Sequence, residues 1–162
     1  MTRPGQLLPM ILSLALMAAP ALAQNTGFGR AQDTKLPVEV TSDQLSVDQK
    51  TGKATFSGNV LIGQGQMRLS ADRVTVTYAA GDQRRISALH AEGNVTMVSG
   101  EDAAEARAAD YNVESGNVVL TGDVLLTQTG NVLAGEKVTV NLETGTANAA
   151  GRVRSVLQPG GK

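Results

Sequence analysis

The residues that could do chemistry are few and scattered. His90, in Leu89-His90-Ala91, is the single histidine, and the chain has no cysteine. Zinc sites draw three or four ligands, mostly from His and Cys, so one His without a Cys excludes the ordinary arrangements. No nucleophile motif surrounds His90 that would make it the base of a Ser-His-Asp triad. Four acids recur instead: Asp43, Asp72, Asp110 and Glu136. Two carboxylates held close together would give the acid–base pair of a carbohydrate-processing enzyme. Each of these acids comes once per repeat, just before an alternating apolar run, and this fits a turn or strand-start role better than a shared catalytic pair. Gly63-Gln64-Gly65 and Gly160-Gly161 lack the remainder of any phosphate-binding fingerprint. Asn94-Val95-Thr96 fits a glycosylation acceptor, a pattern short enough to arise by chance. The residues therefore carry no enzyme reading, no metal and no cofactor.

What does recur is a structural unit. The stretch Ala54-Thr55-Phe56-Ser57-Gly58-Asn59-Val60-Leu61-Ile62 has Gly-Asn-Val at its centre. It returns as Gly93-Asn94-Val95, Gly122-Asp123-Val124 and Gly151-Arg152-Val153, so that the four glycines are 35, 29 and 29 residues apart. Between them recurs an acid followed by an alternating run: Ser42-Asp43-Gln44-Leu45-Ser46-Val47, Ala71-Asp72-Arg73-Val74-Thr75-Val76, Ala109-Asp110-Tyr111-Asn112-Val113 and Gly135-Glu136-Lys137-Val138-Thr139-Val140. A fixed period of this length marks one supersecondary unit used repeatedly.

The chain has 162 residues and a formal net charge of −1. One domain is the expectation at this length, and the charge leaves no footprint for nucleic acid. Residues 1–23 differ from the rest. Arg3 precedes an apolar run over 7–17, and Ala21-Leu22-Ala23 is a small-x-small site before Gln24. This is the pattern of a cleaved signal peptide, which places the mature protein outside the cytoplasm. Residues 24–35 are polar and without period, and read as a flexible leader. Residues 158–162 read as a tail.

Over 36–157 the period is two. Val38 and Val40 alternate with Glu39 and Thr41. Strands are expected over 54–62, 67–78, 86–98 (broken near Glu92-Gly93), 103–113, 118–127, 132–142 and 147–157. The Ala-Ala-Glu-Ala-Arg-Ala-Ala run at 103–109 favours helix by propensity. Its place in the repeat favours strand, and strand is the reading adopted. The expectation is an all-β domain of about nine to eleven strands. Mid-strand glycines mark bends at a fixed place in each unit. Aligned bends would curve the strand pairs into a flattened, open-ended roll. Its end strands would be free to pair with another chain: Val38, Glu39 and Val40 at one edge, Arg152, Val153 and Arg154 at the other. Phe56, Val60 and Ile62 share the inward phase with Val38, Val40, Met97, Tyr111 and Val113. Part of that interior is read as an apolar groove open at the ends. A protein that polymerises or coats a surface around a dry core is the alternative.

Four motifs then come in order: Pro37-Val38-Glu39-Val40-Thr41-Ser42-Asp43-Gln44, Ala54-Thr55-Phe56-Ser57-Gly58-Asn59-Val60, Ser70-Ala71-Asp72-Arg73-Val74 and Val118-Val119-Leu120-Thr121-Gly122-Asp123-Val124. In this order and spacing they resemble the OstA-like family, over roughly residues 36 to 157. The resemblance implies a twisted, open β-jelly roll in the periplasm that stacks head to tail, as a homo-oligomer and with similar domains of LptC-like inner-membrane and LptD-like outer-membrane proteins. It implies that the stacked interior shields the acyl chains of lipopolysaccharide between the membranes. The family's lipid-facing positions fall on Val38 and Val40 in the first strand and on Met97, Tyr111 and Val113 in the middle. Met97 stands where the family pattern has an aromatic residue.

Overall fold

The structure, a computed structural model, describes residues 31–158. The expected signal peptide (1–23), most of the leader and most of the tail lie outside these residues. Ten strands follow one another: β1 (Glu39–Thr41), β2 (Gln44–Asp48), β3 (Lys53–Gln64), β4 (Met67–Ala79), β5 (Asp82–Ser99), β6 (Asp102–Asn112), β7 (Asn117–Gln128), β8 (Asn131–Asn141), β9 (Thr146–Ala150) and β10 (Arg154–Val156). No helix occurs among the described residues. The alanine-rich run lies in β6, where Ala104 and Ala109 are fully buried. Intrinsic helix preference is worth only tenths of a kcal/mol per residue, and pairing on both edges with β5 and β7 outweighs it.

All ten strands form one antiparallel sheet. From β3 to β8 it is a simple meander. At each end a pair of short strands shares one long neighbour. β1 and β2 pair with different parts of β3, and β9 and β10 do the same on β8. The last strand, expected over 147–157, is thus split at Gly151–Val153, and at the other end Ser42–Asp43 separates β1 from β2.

The splits lie on one line across the sheet. On β3 the register jumps between Ser57 and Val60, so that Gly58 and Asn59 stand opposite Asp72 of β4. Gly93-Asn94 on β5 and Gly122-Asp123 on β7 interrupt the register in the same way. Two residues against one is a β-bulge, which bends its strand. Asn59, Asn94, Asp123 and Arg152 follow their glycines in the left-handed region, with φ of 47°, 46°, 47° and 41°. The row creases the sheet into two half-sheets. Ile62, Leu69, Met97 and Leu126 on one side of the crease and Val76, Leu89, Leu120 and Val138 on the other belong to one buried cluster. The sheet therefore folds onto itself, and each half supplies the partner that the apolar face of the other needs.

The crease also shows what the recurring acids do. Asn59 Nδ2 donates to Asp43 Oδ2 at 2.8 Å, and Asn94 Nδ2 donates to Asp72 Oδ2 at 2.8 Å. Arg152 Nε and Nη2 donate to Glu136 Oε1 at 3.0 and 2.9 Å. These acids sit at the bends: Asp72 and Glu136 lie inside the long strands β4 and β8, and Asp43 directly precedes β2. In the third unit the charges are reversed: Arg107 of β6 donates to Asp123, and Arg107 is the residue packed against Gly122. Asp110, grouped with the other acids by sequence, lies three residues further along and pairs with His90 Nδ1 at 2.6 Å.

Candidate functional site

The two half-sheets enclose an apolar slot. Its walls are aliphatic because alternate residues of every strand point inward and those positions hold Val, Leu, Ile, Met and Ala. Of the positions expected to face a lipid, Val60, Ile62, Met97 and Tyr111 are buried in the slot. Val38, Val40, Phe56 and Val113 are partly buried against the same cluster. The structure brings all eight to one interior.

The middle of the slot is closed. Val74, Met97, Val118, Leu120, Val138 and Val140 are 0 % exposed. The slot loosens toward its ends. At the β8–β10 end lies a cavity of about 90 Å³ lined by Leu126, Val132, Leu133, Ala147, Leu157 and polar neighbours. A cavity of roughly 150 Å³ takes up one benzene, so this opening is an entrance and not a chamber. At the opposite end Leu45 and Val47 of β2 are 57 % and 61 % exposed. They pair in register with Phe56 and Ala54, two inward-facing residues. They are the outer continuation of the inward wall, left without a facing layer.

Sequence reasoning does not single out these end residues. Leu45 and Val47 carry the inward phase, and the alternating run after Asp43 is the signal that could find them. Val156 and Leu157, 56 % and 67 % exposed, lie at the opposite end of the roll, within the strand expected over 147–157. The edge residues need correction. Val38 precedes β1 and only Glu39 and Val40 are in it. Arg152 and Val153 lie in the bend between β9 and β10, and the Arg152 guanidinium is held by Glu136 at the crease. Of that trio only Arg154 belongs to the edge strand β10.

Opposite the crease, the free margins of the half-sheets meet along a seam, and polar groups cross it. Tyr111 of β6 donates its hydroxyl to Gln64 Oε1 of β3 at 2.6 Å. Burial strips water from the phenolate form and pushes the Tyr111 hydroxyl up to about 12. Gln64 Nε2 donates to the backbone carbonyls of Thr34 and Leu36 at 2.8 and 2.9 Å. Gln32 N donates to Leu142 O at 3.0 Å, and Thr34 Oγ1 donates to Glu143 Oε1 at 2.9 Å. The end of the leader, expected to be flexible, is thus docked across the seam, with Thr34 buried.

His90 is half-exposed on the outer face, between Asp110 and Glu92. Among the described residues no group of His, Cys, Asp and Glu is arranged to hold a metal. Of the recurring carboxylates, Asp43, Asp72 and Glu136 are spread along the crease, each beside its own bend, while Asp110 lies off it against His90.

Residues 39–146 match the family described as LptA/(LptD N-terminal domain) LPS transport protein. A lipopolysaccharide export system protein LptA from Escherichia coli (strain K12) is 31% identical over 163 residues, spanning 91% of this chain and 86% of that protein. An uncharacterized protein of Rhizobium meliloti (strain 1021) is 33% identical over 162 residues, spanning 91% of this chain and 87% of its own length. The crystal structure of LptH, the LptA homologous periplasmic component of the lipopolysaccharide transport device from Pseudomonas aeruginosa, superposes with a TM-score of 0.68 at 23% identity. The match covers 78% of this chain and 99% of LptH. The all-β open jelly roll expected from the sequence is the fold observed.

Proposed function

Because the chain belongs to the LptA/(LptD N-terminal domain) family of LPS transport proteins, we propose that it is a periplasmic bridge protein. It shields the acyl chains of lipopolysaccharide between the inner and outer membranes. The observation that carries this reading is the two-layered roll whose aliphatic interior runs out at both ends onto edge strands, β1–β2 and β9–β10, that are paired on one side only. Each methylene hidden from water is worth about 0.8 kcal/mol, so a multiply acylated lipid needs a continuous apolar path. Stacking rolls end to end supplies one, and free strand edges supply the backbone pairing that joins them.

The partners in this reading are lipopolysaccharide and Lpt proteins with the same domain, LptD-like at the outer membrane and LptC-like at the inner, with further copies of this chain between. Residues 1–23 serve as the cleaved signal that exports it. The role requires no catalysis. An aliphatic wall attracts acyl chains without direction, so a lipid can slide without breaking specific bonds.

The test is photo-crosslinking in cells. A photoreactive amino acid at Val40, Phe56 or Tyr111 gives lipopolysaccharide adducts, and one at the outward-facing Leu125 does not. Absence of adducts at every inward position overturns lipid carriage.

A further inference from the structure

The Gln64 side chain is buried, at 3 % exposure, and every hydrogen-bonding group on it is used. Its oxygen accepts from Tyr111, which fixes the orientation of the amide. Both amide hydrogens point at carbonyl oxygens, of Thr34 and Leu36. The site therefore reads carbonyls, and at present it reads two from the chain's own leader. It lies on the seam, where the aliphatic slot meets water. An amphiphile with its chains in the slot would bring its ester and amide linkages to this boundary.

We propose that the Gln64 carboxamide is a carbonyl-reading site at the seam of the roll, filled by residues 32–36 as a removable strap and taken over by the ester or amide carbonyls of a bound lipid. This rests on the lipid-carrying role proposed above. The strap ties the two half-sheets together: Gln64 is on one, while Leu142 and Glu143, which hold Gln32 and Thr34, follow β8 on the other. It is held by a few hydrogen bonds, each of modest net strength because water competes for the same groups, with Leu36 42 % exposed and Lys35 and Pro37 outside. Segments with so few buried apolar contacts open locally well before the whole domain does. Opening is needed, because the middle of the slot is packed closed, with Val74, Met97, Leu120 and Val138 0 % exposed. Releasing the strap alone would strand a buried amide without partners, which is unfavourable. A ligand carbonyl at the same place removes that cost, whereas a carbonyl-free hydrocarbon chain does not. The site thus couples opening to the kind of lipid that enters.

The chain has no cysteine, so Thr34→Cys gives one thiol at the buried centre of the strap. The expected result is slow alkylation in the protein alone, and alkylation about tenfold faster with purified lipopolysaccharide. That factor corresponds to about 1.4 kcal/mol, one or two hydrogen bonds of this type. Dodecyl maltoside, which has an alkyl chain but no carbonyl, leaves the rate unchanged. Adding Gln64→Leu raises the rate without any lipid. Backbone amide exchange at Gln32 in the unsubstituted protein gives the same reading and does not depend on the introduced thiol. Lipid loading is scored separately, by crosslinking at Val40. Adducts at Val40 with unchanged rates of thiol alkylation and of Gln32 exchange overturn the strap and leave lipid carriage standing. Equal acceleration by dodecyl maltoside overturns carbonyl reading. No adducts at any inward position overturns carriage and the proposal with it.

Discussion

Asp72 and Asn94 meet across β4 and β5: the carboxylate accepts the Asn94 amide at 2.8 Å, over the backbone of Gly93. The same carboxylate covers the α-carbon of Gly93 so closely that a methyl group there would collide with it. Glycine, left-handed backbone and acid form one device, and the device is repeated along the crease at Gly58 with Asp43 and at Gly151 with Glu136. It sets the line on which the sheet folds and so decides which residues face each other in the slot.

Gly93→Ala tests the device against Gly81→Ala. Both glycines have φ of 78°, so both substitutions carry the same left-handed penalty, about 1–2 kcal/mol. Nothing lies within 4 Å of a methyl group at Gly81, whereas at Gly93 it would strike Asp72. Urea unfolding is expected to show the larger loss for Gly93→Ala. Equal losses would mean that Asp72 moves aside freely and the close packing has no energetic weight.

The third unit, where Arg107 faces Asp123, offers a charge exchange. Arg107→Asp alone sets two carboxylates against each other. Joined with Asp123→Asn it recreates the Asp–Asn pair found at the first two bends. Both side chains are about three-quarters exposed, and exposed pairs are worth about 0.2–1 kcal/mol. Thermal unfolding should show a small loss for the single variant and its recovery in the double. A double variant as unstable as the single would show that the Arg107 stem, packed on Gly122, matters more than its charge.

The fold is legible in the sequence because its signal is repeated. Alternation marks the strands, and the Gly-Asn-Val recurrence marks the bends. The Ala-rich part of β6 reads as strand against its own propensity on the strength of that repeat. The equivalence of Asp110 with Asp72 fails because the third unit swaps acid and base. A pattern built on residue type has no means of seeing Arg107 as the counterpart of an acid. The inward residues of the slot are legible for the same reason as the strands. The seam is not. Gln64 looks like turn punctuation between two glycines, and Thr34 sits in a stretch without period. Their relation to Tyr111 and Glu143 exists only once the sheet has folded over.

Tyr111 gives a pH dependence of known sign. Its hydroxyl ionises near 10.0 when free and is pushed up to about 12 in the folded chain. The folded state therefore holds the proton more tightly. The stabilisation is fully present below pH 10 and is lost as pH rises toward 12. Tyr111→Phe removes this dependence and also leaves Gln64 Oε1 without its donor, at a cost of about 1–3 kcal/mol. The stability gap between wild type and variant, measured by urea unfolding from about pH 9 upward, should narrow as pH climbs. A gap that stays constant would place the phenol in water.

The ends of the roll can be separated from its sides by association. Val156 of β10 is 56 % exposed and pairs in register with Val132, which lines the end cavity. Leu125 of β7 is also exposed, at 38 %, but it stands on the outer face between the buried Val124 and Leu126. End-to-end stacking would bury Val156 and leave Leu125 in water. Val156→Asp should weaken self-association, or capture of an LptD-like domain, by roughly tenfold, about 1.4 kcal/mol, while folding stability shifts by no more than about 0.5 kcal/mol. Leu125→Asp should leave both unchanged. Sedimentation over a range of protein concentrations distinguishes them, and a stronger effect at Leu125 than at Val156 would move the contact from the edge strands to the face of the sheet.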